Sequence, residues 1–203
     1  VIKGLLRGGR DMLDIVLEER YPREVTLEDG TKVTIRPMVR EDEKRLLEFF
    51  LTIPESERIF LQHDVTDPEV IRGWCENLNY YRVLPLLAFD GEKIVANAAL
   101  KQHRRGWKSH IGNVRIVVGS AYRRKGLARK LTEELIHIAL NIGLVKLQGE
   151  FMADQVAPIQ TFERLGFVRA ATIPEYVWDQ NGFAHDLVLM VHDLRDQEYF
   201  AGD

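Results

Sequence analysis

The strongest constraint on this chain is a strand that runs into a short basic loop and from there directly into an amphipathic helix. Leu127, Leu131, Leu135, Ile138 and Ile142 recur at intervals of four, four, three and four residues, which places them on one helix face. The segment before them, His110–Val118, reads as a strand, and Arg123, Arg124, Lys125 and Gly126 lie between. A helix that starts this way leaves several backbone N–H groups without partners, all aimed at one spot. With the positive end of the helix dipole they form an anion site that suits a pyrophosphate. Gly126 lets the backbone approach a phosphate with no Cβ in the way, and Ala128 keeps the first turn small. Arg129 and Lys130 add positive charge where the dipole disfavours it, which makes sense if a polyanion sits there. On the loop alone, a solvated basic face with a plain turn glycine stays open, and so does a module that binds nucleotide or nucleic acid.

Composition narrows those options. Asp and Glu outnumber Lys and Arg by 31 to 28, a formal net charge of -3, whereas non-specific nucleic-acid binders need an excess of cations. Any anion site is therefore local, and no nucleic-acid partner is expected. The single cysteine, Cys75, shares a helical stripe with Val70, Ile71, Trp74 and Leu78 and reads as core packing rather than a reactive thiol. No apolar run approaches the roughly 18 residues of a membrane span, so the expectation is a cytoplasmic protein with no membrane partner. His63, His103, His137, His185 and His192 show no ligand spacing, and no metal is expected. The chain begins at Val1, which suggests trimming or a cut from a longer product.

Residues 1–22 carry apolar pairs broken by Gly8-Gly9 and read as an N-terminal helical appendage. Residues 23–203 read as one α/β (α+β) domain. A hairpin with Val25, Leu27, Val33 and Ile35 turns at Asp29-Gly30. Helices follow over Arg40–Leu51 and from Asp67 to about Tyr80, the second opened by Asp67-Pro68. Strands are expected at Val83–Phe89, Lys93–Leu100, His110–Val118 and Leu144–Met152. A helix over Gln155–Leu165 precedes three closing strands near Phe167–Ala171, Tyr176–Trp178 and His185–His192.

The stretch from Val118 to Ala128 resembles the signature of the GNAT N-acetyltransferases, a strand end and spacer followed by R/Q-x-x-G-x-G/A. Thr161 to Phe167, ending Leu165-Gly166-Phe167, is similar to the family's second landmark. Leu27 to Pro37, Arg40 to Asp42, Pro54 to Arg58 and Gly149 to Asp154 are similar to bacterial Pat-type protein lysine acetyltransferase domains. The resemblance runs from about Glu24 to Leu194. It implies a mixed central sheet of about seven strands, flanked by helices, whose strands 4 and 5 splay apart. These are His110–Val118 and Leu144–Met152 here. It also implies acetyl-CoA as cofactor and an amine acceptor, a protein lysine or a small molecule. A homodimer is left open.

On that resemblance, the pantetheine amides pair with Ile116, Val117 and Val118, and the pyrophosphate rests on Arg123, Arg124, Lys125, Gly126, Leu127 and Ala128. Gln155 stands where the family often has an asparagine near the cofactor. A lysine amine has an unperturbed pKa near 10.4, so a base, or a water chain to one, is expected. A backbone N–H near Ile116 or Val117 would serve the oxyanion. Many relatives place a glutamate at about positions 112 to 113, which here are Gly112 and Asn113, neither a useful base. Glu150 is the best remaining carboxylate and His110 the next candidate. The family's frequent acid, a tyrosine, is replaced by Phe162, which leaves water, Tyr122, Tyr176 or the amine's own proton. Asn113 and Phe162 support an alternative, a CoA-binding regulatory module of the same fold with weak or no catalysis.

Overall fold

In the computed structural model, which describes residues 11–195 apart from Arg104, the opening hairpin leads an eight-stranded sheet. Its strands are β1 (Arg23–Thr26), β2 (Lys32–Pro37), β3 (Val83–Asp90), β4 (Lys93–Gln102), β5 (Ile111–Val118), β6 (Lys146–Met152), β7 (Val168–Trp178) and β8 (Ala184–Asp193). They lie side by side in the order β1-β2-β3-β4-β5-β6-β8-β7. Every pairing is antiparallel except β5 with β6, which is parallel. The sheet thus exceeds the expected seven strands, because both arms of the opening hairpin join it. The expected strands 4 and 5 are β5 and β6. The two strands anticipated around Pro174 are one, since Glu175, at φ 48°, sits in an irregularity of the β7–β8 ladder that bends β7 without ending it.

The helices are α1 (Met12–Arg20), α2 (Glu43–Leu51), α3 (Glu55–Arg58), α4 (Pro68–Glu76), α5 (Leu127–Asn141) and α6 (Val156–Arg164). Asp67 caps α4 by accepting from the Glu69 N–H at 2.9 Å, with Pro68 at the first position, where its missing N–H costs nothing. The stripe read on α5 is real. Leu127, Leu131, Leu135 and Ile138 are buried in the larger core, which also takes Leu13, Val16 and Leu17 of α1 and Ile159 and Phe162 of α6. Each such side chain contributes about 1.5–3 kcal/mol by leaving water. The opposite face holds a second core of Leu46, Phe49 and Phe50 from α2 and Ile71 and Cys75 from α4. Burial there pushes the Cys75 thiol up to about 11, which makes it a packing group.

Strand alternation decides what each face sees. Val114, Ile116 and Val118 of β5 pack on the α5 side, whereas Val117 packs on the α2 side. Asn113 and Arg115 share the α2 face with Val117. Gly112 is required for space, because a Cβ there would lie 2.6 Å from Leu100 Cδ1 and 2.8 Å from Leu144 Cδ1. Its neighbours fill the place where a glutamate side chain would go.

Candidate active site

The β5–β6 ladder is short. It runs from Ile111↔Lys146 to Asn113↔Gln148 and stops, while β5 continues to Val118 and β6 to Met152. Each strand follows its outer neighbour past that point: β5 stays paired with β4 as far as Val118↔Ala96, and β6 with β8 as far as Met152↔Leu187. The facing edges of residues 114–118 and 149–152 are left without a ladder between them. Backbone groups along such an edge are free to take hydrogen bonds from another partner.

The far end of β5 delivers the chain to the loop. A 3-10 turn at Ser120–Tyr122 leads to Arg123 in extended geometry, Arg124 at φ 57° and Gly126 at φ 82°, with α5 beginning at Leu127. Left-handed geometry at a non-glycine residue costs about 1–2 kcal/mol, and such strain gathers where a ligand is held. Among the described residues, the N–H groups of Arg124, Lys125, Gly126, Leu127 and Ala128 donate to no protein acceptor. The tip of the β1–β2 hairpin braces the loop from one side. The Glu28 N–H donates to the Lys125 carbonyl at 3.0 Å, and the Glu28 carboxylate would lie 3.0 Å from a Cβ on Gly126.

The loop cations already have partners. Arg123 makes a two-pronged pair with Glu57, at 2.8 and 2.5 Å, and also donates to the Val118 carbonyl at 3.0 Å. Lys125 pairs with Asp29 at 2.8 Å. Among the described residues Arg124 has no acidic partner. An arriving polyanion therefore meets one free guanidinium, a fan of N–H groups and two cations shared with acids.

The apex of the gap carries the polar groups. Asn113 ends the ladder, and its buried Oδ1 has no hydrogen-bond partner. Glu150 lies on the same face as Gln148, whose Nε2 donates to the Glu150 carboxylate at 3.3 Å. Glu150 itself is exposed. Arg115, absent from the sequence reading, faces Glu150 across the gap and donates to Gln62 Oε1. Only the position where the ladder ends reveals its importance, although its alternation with Asn113 and Val117 already set its face.

His110 does not join them. It is exposed at the closed end of β5, where its carbonyl accepts from Val145 and Lys146 at 2.9 and 3.2 Å. The paired positions 111–113 separate it from the gap, so the structure does not bring it together with Glu150 and Asn113. Tyr122 is no free acid either: its hydroxyl donates to Asp90 at 2.6 Å, and that carboxylate pushes its pKa up to about 12. Gln155 accepts from the Met152 N–H at 2.9 Å through Oε1 and so caps the open end of β6. Phe162 is buried, its ring 4.7 Å from both Phe151 and Phe167, and it would stand 3.0 Å from a Cβ on Gly149. It floors the gap on the β6 side.

The chain matches the model of the acetyltransferase (GNAT) family over residues 44–167, and it belongs to that family, whose members are acyltransferases that use acetyl-CoA. The GNAT domain of the Streptomyces lividans protein PAT is similar in fold, with a TM-score of 0.70 at 17% identity over 84% of this chain and 96% of that one. So is yncA from Salmonella typhimurium, solved with its cofactor acetyl-CoA, at 0.65 and 22% over 84% and 98%. The ribosomal-protein-S18-alanine N-acetyltransferase of Escherichia coli gives 0.62 and 22% over 80% and 94%. No protein of curated function matches the chain by sequence. Among the described residues, no helix is long and apolar enough to cross a membrane.

Proposed function

We propose that the chain transfers an acetyl group from acetyl-CoA to a primary amine, with Glu150 receiving the amine's proton directly or through water. The observation that carries this reading is the open edge beyond Asn113 and Gln148, continuous along β5 with the unpartnered N–H groups of residues 124–128. Ile116, Val117 and Val118 would hold the pantetheine amides, and Arg123 to Ala128 the pyrophosphate. When bound, acetyl-CoA supplies an acyl group activated as a thioester. The β5 N–H groups beyond the apex supply hydrogen-bond donors where negative charge would develop. Glu150, exposed on the α2 face, meets an acceptor arriving from that side. Residues 23–203 carry the activity in this reading, with α1 of the preceding segment closing the core beneath α5.

The test is release of free thiol from acetyl-CoA in the presence of a panel of amines and lysine peptides, beside a calorimetric titration with CoA. Turnover on at least one amine is the expected result. CoA binding with no turnover on any acceptor would favour a regulatory module, to which the burial of Phe162 and the lack of a carboxylate at Asn113 would then belong.

A further inference from the structure

Arg115 and Glu150 occupy the first positions beyond the ladder on one face of the sheet, two residues past Asn113 and Gln148. Were the strands to stay paired, these side chains would be neighbours about 5 Å apart and would close into an ion pair. The splay prevents it. Among the described residues no contact within 4.0 Å joins the two charges, and each rests on a neutral amide instead, Glu150 on Gln148 and Arg115 on Gln62. The arrangement differs from the phosphate loop, where Arg123 and Lys125 each hold a carboxylate. At the apex, one step back on the same face, lies the buried Asn113 Oδ1 without a partner.

From this juxtaposition we infer that the acceptor is a small zwitterion, a free amino acid whose ammonium is received by Glu150 and whose carboxylate is received by Arg115. The inference rests on the acetyltransferase reading above and narrows its substrate. A guanidinium carries five N–H donors in a planar fork that matches a carboxylate, and Arg115 uses few of them within the protein. An amine at Glu150 stands beside the group that takes its proton, and a carboxylate on the same small molecule then reaches the fork across the gap. The side chain of a protein lysine would put methylenes there and leave the fork facing apolar atoms. The Glu150 charge already acts on Arg115: the surrounding protein lowers the guanidinium pKa by displacing water, and Glu150 opposes that lowering.

The experiment measures kcat/KM for the twenty free protein amino acids and, for those that react, for the matching decarboxylated amines, such as tryptophan with tryptamine and phenylalanine with phenethylamine. Removing the carboxylate should lower kcat/KM about 10- to 100-fold, as loss of a charge-assisted hydrogen-bonded pair does. In Arg115→Gln that ratio should fall to near one, and Arg115→Lys should restore part of it, while CoA affinity stays that of the parent. Equal use of acids and amines, or an undiminished ratio in Arg115→Gln, overturns the inference and leaves acetyl transfer standing. Calorimetry with the CoA-loaded protein separates the other case: amino acids that bind without turnover keep the zwitterion site and remove the enzymatic reading. An absence of both binding and turnover for all twenty removes the inference, and lysine peptides then decide the acetyltransferase reading alone.

Discussion

The Lys125 ammonium on the loop before α5 sits 2.8 Å from the Asp29 carboxylate at the tip of the opening hairpin. Hydrogen bonds from Lys125 and then from Thr31 hold that carboxylate down at about 2, so it stays charged and competes with any phosphate. Asp29→Asn should therefore tighten CoA binding. The pair is exposed and screened by solvent, which limits the gain to roughly fivefold or less at low ionic strength. Calorimetric titrations in low and high salt check it, the gain shrinking as the Debye length contracts.

Gly126→Ala should weaken CoA binding, by about tenfold or more. The left-handed backbone costs a Cβ about 1–2 kcal/mol, and the new methyl would meet the Glu28 carboxylate at 3.0 Å. The companion variant Gly30→Ala, at φ 84° but with open space around it, should lose comparable stability and keep its CoA affinity. Thermal melts and titrations on the pair separate strain from site damage.

Glu150→Gln should lower kcat by about 10²-fold or more, the range of positioned proton transfer, with CoA affinity unchanged. Rapid-mixing and steady-state measurements of thiol release read the loss. An unaltered kcat would move the proton to water alone.

Asp42 is fully buried, bridging Arg36 at 2.7 Å through both oxygens, Arg45 at 3.1 Å and the Val39 N–H at 2.9 Å. Burial pushes its pKa up, but the hydrogen bonds from Arg36 and Val39 outweigh it and the net direction is down. Its contribution is thus complete above the ordinary 3.8 and disappears as pH falls through the lower folded value. Asp42→Asn leaves two guanidinium groups facing a neutral amide and should cost about 3 kcal/mol. Chemical denaturation at neutral pH checks the magnitude, and the difference from the parent should shrink in strong acid.

His185 ties the β7–β8 tip to the turn after β6, contacting Asp154 at 2.5 Å and Asp179 at 3.2 Å. Asp154 first and Asp179 second raise its pKa above 6.5, so the tie is complete below 6.5 and fades as pH rises through the raised value. Asp179 is shifted down from 3.8, first by the Phe183 N–H, and so fails only in acid. The hairpin is held best between about pH 4 and 6.5. Hydrogen exchange at residues 179–185 should quicken above that window in the parent and show no such step in His185→Gln.

The elements legible in the sequence were those written locally. The α5 stripe, the Asp67-Pro68 start of α4 and the basic loop needed only neighbours within a turn or two. Arg115 escaped because its meaning depends on where β5 parts from β6, a pairing between segments far apart in the chain. The partners that neutralise Arg123 and Lys125 escaped for the same reason: Glu57 and Asp29 come from elements folded over the loop. The single bent β7 was hidden because Pro174 and the left-handed Glu175 look like a break, and only the continued β8 register carries the strand through.

Beyond Gln148, β6 pairs with one strand only, β8. The β6 wall of the gap is therefore held in place by Ala184–Asp193, which follows every other described strand in the chain. A nascent chain can assemble β1 to β5 and α5 early, with the basic loop among them, yet it lacks the strand that holds β6 away from β5. The gap is therefore completed late, and a product clipped before β8 would carry the loop without it.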